Sequence, residues 1–246
     1  MQRELVMGIN AVAGLLQVAP ERIVRTWIRP GSARLKALEK DLRAAGMTVE
    51  LADDRALDRL AGRVRHQGVI AEFVPRQPGN EQTLHDMLER LDDRALFLVL
   101  DGVQDPNNLG ACLRTAAAAG ASAVIIPDRR AAGLTPAARR AAAGAAEMVE
   151  LIVVVNLARC LRLLADYGVW RVGLDAGTGN TLFGAGLRGP LAVVLGSEED
   201  GLRRLTRELC DELLEIPMPG PVESLNVSVA AGIALFSALQ QRADIS

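Results

Sequence analysis

The sequence predicts an α/β protein in which a smaller α/β unit precedes a mostly parallel sheet covered by helices on both faces. From about residue 84, apolar strand-like runs alternate with helical segments, the pattern of parallel strands joined by crossover helices. Before that region, PRQPGNEQ at 75–82 combines two prolines, a glycine and polar side chains, as linkers do. We therefore expect domains at 1–74 and 84–246, joined by a linker at 75–83.

Short helical and strand patterns fill the first domain. GINAVAGLLQVAP predicts a helix that ends at Pro20, and ARLKALEKDLRAAG predicts an amphipathic helix that ends at Gly46. RIVRTWIRP alternates polar and apolar residues as a strand does. TVELAD and GVIAEFV predict two further short strands.

The second domain begins with LFLVLDGV, a continuous apolar run expected of a strand that is buried on both faces. Further strands are predicted at SAVIIP, VELIVVV, WRVGLDA, LAVVLGSE and LLEIPM. The predicted helices are NNLGACLRTAAAAG, TPAARRAAAGAA, LARCLRLLADYG, DGLRRLTRELC and a buried VAAGIALFSAL. Ligands of such sheets bind beyond the carboxyl ends of the strands, so the loops after FLVLDGV, AVVLGSE and LEIPM are the candidate site.

Composition narrows the functional class. The 246 residues are 50% hydrophobic and 24% charged, as in folded globular proteins, and no apolar run or N-terminal stretch predicts a membrane span or a secretory signal. Three dispersed cysteines and two histidines, His66 and His85, do not suggest a disulfide framework or a metal site. We expect a cytoplasmic protein without a metal.

The charge is unevenly distributed along the chain. Residues 1–76 contain 13 Lys and Arg against 9 Asp and Glu, a net charge of +4, whereas the rest contains 15 against 21, a net charge of −6. This division fits a nucleic-acid-binding first domain, and it also fits chance. Aromatic residues are only 3% of the chain, which argues against a base-stacking platform.

The first candidate loop is DPNNLGACLRTA. Asp105 and Pro106 predict a turn, and either Asn107 or Asn108 can cap the following helix. Its apolar face is formed by Cys112, Leu113 and Ala116. Arg114 lies beside that face, and it is either a functional cation or an arginine that extends from a buried helix to solvent.

The other two loops are also unusually polar. In LGSEEDGL, a strand ends at Gly196 and is followed by Glu198, Glu199 and Asp200, which favour either a helix N-terminus or a ligand site. A metal site would need ligands from several segments, and the sequence does not supply them. In SLNVSVAAGIALF, Ser224, Asn226 and Ser228 alternate with Leu225, Val227 and Val229, and a helix cap explains only one of these polar residues.

Together with IPMPG, these loops resemble the three signature motifs of the SpoU–TrmH family of RNA ribose 2′-O-methyltransferases, over about residues 96–242. GINAVAGLL and HQGVIAEF resemble the N-terminal substrate-binding domain of the family's bacterial 23S rRNA guanosine-2′-O-methyltransferases, which is similar to the ribosomal protein L30e fold. The resemblance implies an L30e-like domain followed by a SPOUT-type α/β domain with a C-terminal trefoil knot. It also implies S-adenosylmethionine in the knotted loops and a homodimer with the active site at its interface.

The resemblance further implies methyl transfer to the ribose 2′-hydroxyl of a guanosine in the peptidyl-transferase region of 23S rRNA, free or in a large-subunit assembly intermediate. The alternatives are a tRNA or another rRNA site, or a non-catalytic RNA-binding assembly factor. The positions that match the family's catalytic residues are Asn108, Arg114, Glu198, Ser224 and Asn226, and those that match its cofactor contacts are Gly196, Ile216, Met218 and Leu225. Among them, Arg114 is expected to bind the phosphate beside the target and stabilise charge on the 2′-oxygen.

Overall fold

The computed structural model describes residues 3–62 and 64–243, which form two compact units. The first unit contains the described residues up to Gln77 together with Ala143–Met148. The second contains Pro78–Ala142 and the described residues from Val149 onwards.

The first unit is a four-stranded mixed sheet with helices on both faces. Its strands are β1 (Glu4–Met7), β2 (Ile23–Ile28), β3 (Val49–Leu51) and β4 (Val69–Phe73), and its helices are α1 (Ile9–Val18), α2 (Ala33–Ala44) and α3 (Asp54–Ala61). The strand order is β1-β4-β2-β3, in which β4 is antiparallel to both neighbours and β2–β3 is parallel. Helices α1 and α2 cover the larger core, and α3 packs over Ile70 on a separate small cluster.

The segment Ala143–Met148 belongs to this first unit although it follows a helix of the second. Ala143 and Gly144 adopt left-handed conformations (φ 50° and 91°), which ends the preceding helix and starts a 3₁₀ turn at Ala145–Glu147. The carboxylate of Glu147 is buried and accepts hydrogen bonds from Arg22 Nη1 (3.4 Å) and from the backbone N–H of Arg76 (3.0 Å). The predicted helix TPAARRAAAGAA is therefore too long at its C-terminal end.

The second unit contains a six-stranded, wholly parallel sheet. Its strands are β5 (Leu96–Asp101), β6 (Ala123–Pro127), β7 (Glu150–Val154), β8 (Trp170–Leu174), β9 (Leu191–Gly196) and β10 (Glu212–Leu214). Its helices are α4 (Glu81–Leu88), α5 (Pro106–Ala118), α6 (Pro136–Ala142), α7 (Leu157–Asp166), α8 (Arg204–Leu209) and α9 (Val227–Ala243). The strand order is β10-β8-β9-β5-β6-β7, so the predicted α/β class with a parallel sheet is confirmed.

Central strands β5 and β9 carry the site at their carboxyl ends. Every residue of β5 is buried, which explains why its sequence is a continuous apolar run that ends in one acidic residue, Asp101. In the ladder between the two strands, Asp101 lies opposite Gly196. The loops that follow these two residues therefore begin side by side at one edge of the sheet.

Several segments differ in detail from the sequence-based expectation. Residues Glu81–Leu88 are helical, with Asn80 and Thr83 forming a capping box, so the end of the expected linker is the start of α4. Gly79 extends the sheet beside β7, since its N–H donates to Leu151 O at 2.8 Å. Helix α9 buries only one face, and Phe236 remains 49% exposed.

Within the described residues, no helix is long and apolar enough to span a membrane. All three cysteines are free thiols. Burial raises the pKa of each thiol, Cys112, Cys160 and Cys210, to about 12, so all three are protonated at neutral pH.

Candidate active site

A pocket of about 240 Å³ lies at the carboxyl edge of β8 and β9, where the predicted loops meet. Its apolar walls come from Leu174, Leu195, Ile216, Met218, Leu225 and Val227, and its polar lining includes Asp175, Ser197, Glu198, Glu223 and Ser224. Among the residues that the structure describes, the lining contains carboxylates and no arginine or lysine. Such a pocket favours a partly apolar ligand that carries positive charge.

A chain of hydrogen bonds joins the three predicted loops beside this pocket. The Asn108 amide donates to Glu198 Oε1, and the Asn226 amide donates to Asn108 Oδ1 at 3.0 Å. Asn226 Oδ1 in turn accepts from the backbone N–H of Ser228 at 2.9 Å and from its hydroxyl at 2.6 Å. Asn226 thus caps α9 and at the same time fixes the relative position of α5 and the Glu198 loop.

The N-terminus of α5 explains why Asn108 is available for this network. The cap is Asp105, whose carboxylate accepts from the N–H of Asn107 at 2.9 Å, with Pro106 at the first helical position. Our expectation that Asn107 or Asn108 would cap the helix is therefore wrong. Because Asp105 satisfies the backbone, the side chain of Asn108 can reach across to Glu198.

A buried ion pair holds the Glu198 loop against β5. Asp101, whose side chain is fully buried, accepts from Arg203 Nε at 2.5 Å and from its backbone N–H at 3.3 Å. Between Gly196 and Arg203 the chain folds back on itself, since Ser197 and Gly201 exchange two backbone hydrogen bonds of 3.1 Å. This turn occupies the positions that we expected to begin a helix, so α8 starts only at Arg204.

Close approach of the chain to itself requires glycine at position 196. A Cβ atom built there would lie 1.9 Å from the carbonyl carbon of Gly201. Any side chain would push the turn away from the end of β9 and move one wall of the pocket. Gly196 is thus a structural part of the pocket as well as one of its lining residues.

The structure brings together most of the residues singled out from the sequence. The four expected cofactor contacts, Gly196, Ile216, Met218 and Leu225, all line the one pocket, as do Glu198 and Ser224. Asn108 and Asn226 join Glu198 through the hydrogen-bond chain. These positions are consistent with the expected roles, which remain predictions.

Arg114 is the exception. Its side chain is exposed, and within residues 3–62 and 64–243 it has no hydrogen-bond or ion-pair partner. It lies six positions after Asn108 on α5, which places the two side chains about 120° apart around the helix. Arg114 therefore does not join the network of its own chain.

Sequence reasoning missed Asp101, Arg203, Asp175 and Glu223. Asp101 had a usable signal, because a single acidic residue at the end of a fully buried strand needs a partner. Asp175 directly follows β8, lines the pocket and pairs with Arg207 at 2.7 Å. The described residues contain one group that could hold a metal ion, His85, Asp86 and Glu89 near α4, and none of the three lines the pocket.

Comparison with known proteins identifies the family. A profile of the SpoU rRNA methylase family matches residues 95–236, more than half of the chain. The chain belongs to the SpoU rRNA methylase family. A second profile, for RNA 2′-O ribose methyltransferase substrate binding, matches residues 5–79. The resemblance of the three loops and of the first domain is thereby confirmed.

SpoU relatives match along the full chain. The 23S rRNA (guanosine-2′-O-)-methyltransferase RlmB of Xanthomonas campestris pv. campestris is 47% identical over 243 residues, 98% of each chain. RlmB of Photorhabdus laumondii is 49% identical over 241 residues, covering 97% of this chain and 98% of its own.

Solved structures agree on the fold. A crystal structure of an RNA 2′-O ribose methyltransferase, 30% identical, superposes with a TM-score of 0.75 over 97% of this chain and 88% of its own. The SpoU methyltransferase AviRb from Streptomyces viridochromogenes, solved with AdoMet and 23% identical, has the same fold at a TM-score of 0.74, covering 98% of this chain and 91% of its own.

Proposed function

We propose that this chain transfers the methyl group of S-adenosylmethionine to the ribose 2′-hydroxyl of a specific guanosine in the peptidyl-transferase region of 23S rRNA. The observation that carries the proposal is the hydrogen-bond chain from Glu198 through Asn108 to Asn226 at the rim of an apolar, acidic pocket. Relatives of 47–49% identity that span nearly the whole chain bear the name of this activity.

The pocket fits the proposed cofactor. Apolar walls from Ile216, Met218 and Leu225 suit an adenine ring and a methionine side chain, and the pocket volume is close to the lower end for ligand pockets. The carboxylates of Asp175, Glu198 and Glu223 suit a cationic sulfonium. When bound, S-adenosylmethionine supplies an activated methyl group, so the chain itself must bind, orient and handle the proton of the attacking hydroxyl.

Positioning is the main task of the polar residues. Asn226 and Ser224, at the start of α9 and on the pocket wall, orient the ribose, and Glu198 holds the loops through Asn108. Arg114 binds the phosphate next to the target and stabilises negative charge that develops on the 2′-oxygen. An arginine remains protonated at neutral pH, so we assign it charge stabilisation rather than proton abstraction.

A homodimer formed through the second unit would complete this site. Arg114 has no partner among the described residues and points away from Asn108, so we propose that it reaches the network of a partner subunit. The apolar residues Val229 and Phe236 support an interface, because they lie seven positions apart on α9 and are each 49% exposed. We also propose the trefoil knot in the C-terminal loops, for which the family membership is the support.

Two observations favour rRNA over tRNA as the substrate. The relatives named for 23S rRNA cover 98% of this chain, including the substrate-binding domain. A solved structure that concerns 2-OH methylation of C/U34 on tRNA is 32% identical and has a TM-score of 0.55. The match includes 97% of that shorter protein but only 61% of this chain. We also propose that the protein acts in the cytoplasm, because an rRNA substrate would be found there.

The proposal is tested with Arg114→Ala. We expect calorimetry to show S-adenosylmethionine binding within a few-fold of wild type, because the pocket lining does not include Arg114. Methylation of 23S rRNA should fall about 10²–10³-fold, as when one charge-stabilising donor is removed. Arg162 is an exposed arginine on α7, so Arg162→Ala is the matched control and should retain wild-type activity. Loss of cofactor binding in folded Arg114→Ala, or full methylation by it, would contradict the assignment.

A further inference from the structure

The loop that follows β6 lies at the same edge of the sheet as the polar network. Strand β6 is the parallel neighbour of β5, so residues after Pro127 and residues after Asp101 leave the sheet side by side. The N–H of Ala132 donates to Val103 O at 2.8 Å, which ties the two loops together. A Cβ atom built on Gly102 would lie 3.8 Å from both the Arg130 carbonyl oxygen and Ser197 Cβ. The backbone of Arg130 thus lies next to the turn that carries Glu198.

Two adjacent arginines occupy this loop. Arg129 and Arg130 are both exposed, and neither has a hydrogen-bond or ion-pair partner in the described part of the chain. Asp128, also exposed, precedes them, so the three residues leave one net positive charge. By contrast, the three arginines at the start of α8 and within it, Arg203, Arg204 and Arg207, are each paired with a carboxylate.

Arg130 holds a backbone conformation that favours glycine. Its φ of 60° lies in the left-handed region. This conformation is unfavourable for any residue that has a Cβ atom, whereas glycine adopts it without strain. Such outliers cluster at functional sites, where the side chain serves a purpose other than folding. An exposed, unpartnered guanidinium in this position contributes no contact that would explain its presence.

We propose that Arg129 and Arg130 bind backbone phosphates of the RNA strand that flanks the methylated ribose. A ribose that reaches the pocket must bring its neighbouring phosphates to the rim. The backbone of Arg130 lies near Ser197, which lines the pocket, and arginine pairs with phosphate through two parallel hydrogen bonds. The inference rests on the proposed function and adds a substrate-positioning surface on the second unit. It assigns the two residues to RNA affinity and not to chemistry at the methyl group.

The test measures binding of a dye-labelled transcript of the peptidyl-transferase region of 23S rRNA by fluorescence anisotropy, between about 50 and 200 mM salt. The variants are Arg129→Gln, Arg130→Gly and the double variant, with Arg162→Gln as a control that removes one exposed arginine elsewhere. We expect the double variant to bind RNA about tenfold more weakly. Its slope of log K against log salt should be shallower by about 1.4, for two single-strand phosphate contacts.

Arg130→Gly separates a role in binding from a role in folding. Because glycine fits the left-handed conformation, the melting temperature of the Arg130→Gly variant should equal or exceed that of the wild type, while its RNA affinity falls. A lower melting temperature would make Arg130 a structural residue and overturn the proposal. So would wild-type RNA affinity and salt slope in the double variant, or an equal loss in Arg162→Gln.

A measurement of cofactor binding separates a failure of the proposed function from a failure of the proposed role of Arg129 and Arg130. Calorimetry should give the same S-adenosylmethionine affinity for the wild type and the double variant, since neither arginine lines the pocket. A wild-type protein that fails to bind the cofactor or to methylate RNA counts against the proposed function. A functional wild type whose RNA binding is insensitive to both arginines counts only against this inference.

Discussion

The ion pair between Asp101 and Arg203 should be strongly asymmetric in its effect on stability. The Asp101 side chain is fully buried, whereas that of Arg203 is 43% exposed. If Asp101→Asn removes the carboxylate, the Arg203 guanidinium can turn towards water. We then expect the free energy of unfolding to fall by about 1.5–3 kcal/mol, because the charged hydrogen bonds are lost. If Arg203→Met removes the cation, a buried carboxylate keeps only the backbone N–H at 3.3 Å, and the expected loss is about 3–5 kcal/mol.

The double variant Asp101→Asn/Arg203→Met tests whether the two effects share one cause. It leaves neither a buried charge nor an unpaired cation, so it should be more stable than Arg203→Met alone. We expect a coupling free energy of about 1.5–3 kcal/mol in the double-mutant cycle. Arg204→Met is the control, because Arg204 is 83% exposed and its pair with Glu208 should contribute less than about 1 kcal/mol.

The assay is urea unfolding at pH 7, followed by tryptophan fluorescence. The sequence contains two tryptophans, Trp27 on β2 and Trp170 on β8. A Trp27→Phe background leaves Trp170 as a reporter of the second unit, where the ion pair lies. Equal losses for the two single variants, or strictly additive losses, would refute the account of a buried carboxylate that depends on one cation.

Two further predictions concern the pocket turn and the sheet edge. Gly196→Ala should weaken S-adenosylmethionine binding at least tenfold in calorimetry, because its Cβ would lie 1.9 Å from Gly201, whereas Gly186→Ala, with open space around it, should not. Although burial raises the pKa of Asp211, hydrogen bonds from Arg171 lower it more, to below its usual 3.8. Asp211→Asn should therefore lower the free energy of unfolding by about 1 kcal/mol at pH 7. In denaturant titrations, this difference between variant and wild type should disappear as pH falls through the lowered pKa, and a difference that stays constant with pH would contradict the prediction.

Burial on both faces made the central strands predictable. A strand such as β5 must be apolar at every position, and this leaves an unambiguous run in the sequence. Short elements were missed because they leave no comparable pattern in the sequence. Strand β1 has only four residues and α3 only eight, so neither is long enough to produce a sustained period. Their existence depends on pairing with distant segments such as β4.

Long-range contacts account for most of what the sequence did not predict. The segment Ala143–Met148 reads as the end of a helix, but the buried Glu147 finds its partners at Arg22 and Arg76, far away in the chain. In the candidate site, the polar motif positions Asn108, Glu198 and Asn226 were recognised from a family resemblance. That they bond to one another is a result of folding that spacing along the chain does not encode.

The most direct test of the central claim is isotopic mapping of the product. Purified protein is incubated with a mixture of 23S rRNA and tRNA and with S-adenosylmethionine that carries a deuterated methyl group, and the two RNAs are then separated, digested and analysed by mass spectrometry. The proposed function predicts the labelled methyl on the ribose of a single guanosine in the peptidyl-transferase region, and a rate of labelling about 10²–10³-fold lower with Arg114→Ala. Label on a base, on tRNA in preference to rRNA, or on no nucleotide despite cofactor binding would contradict it.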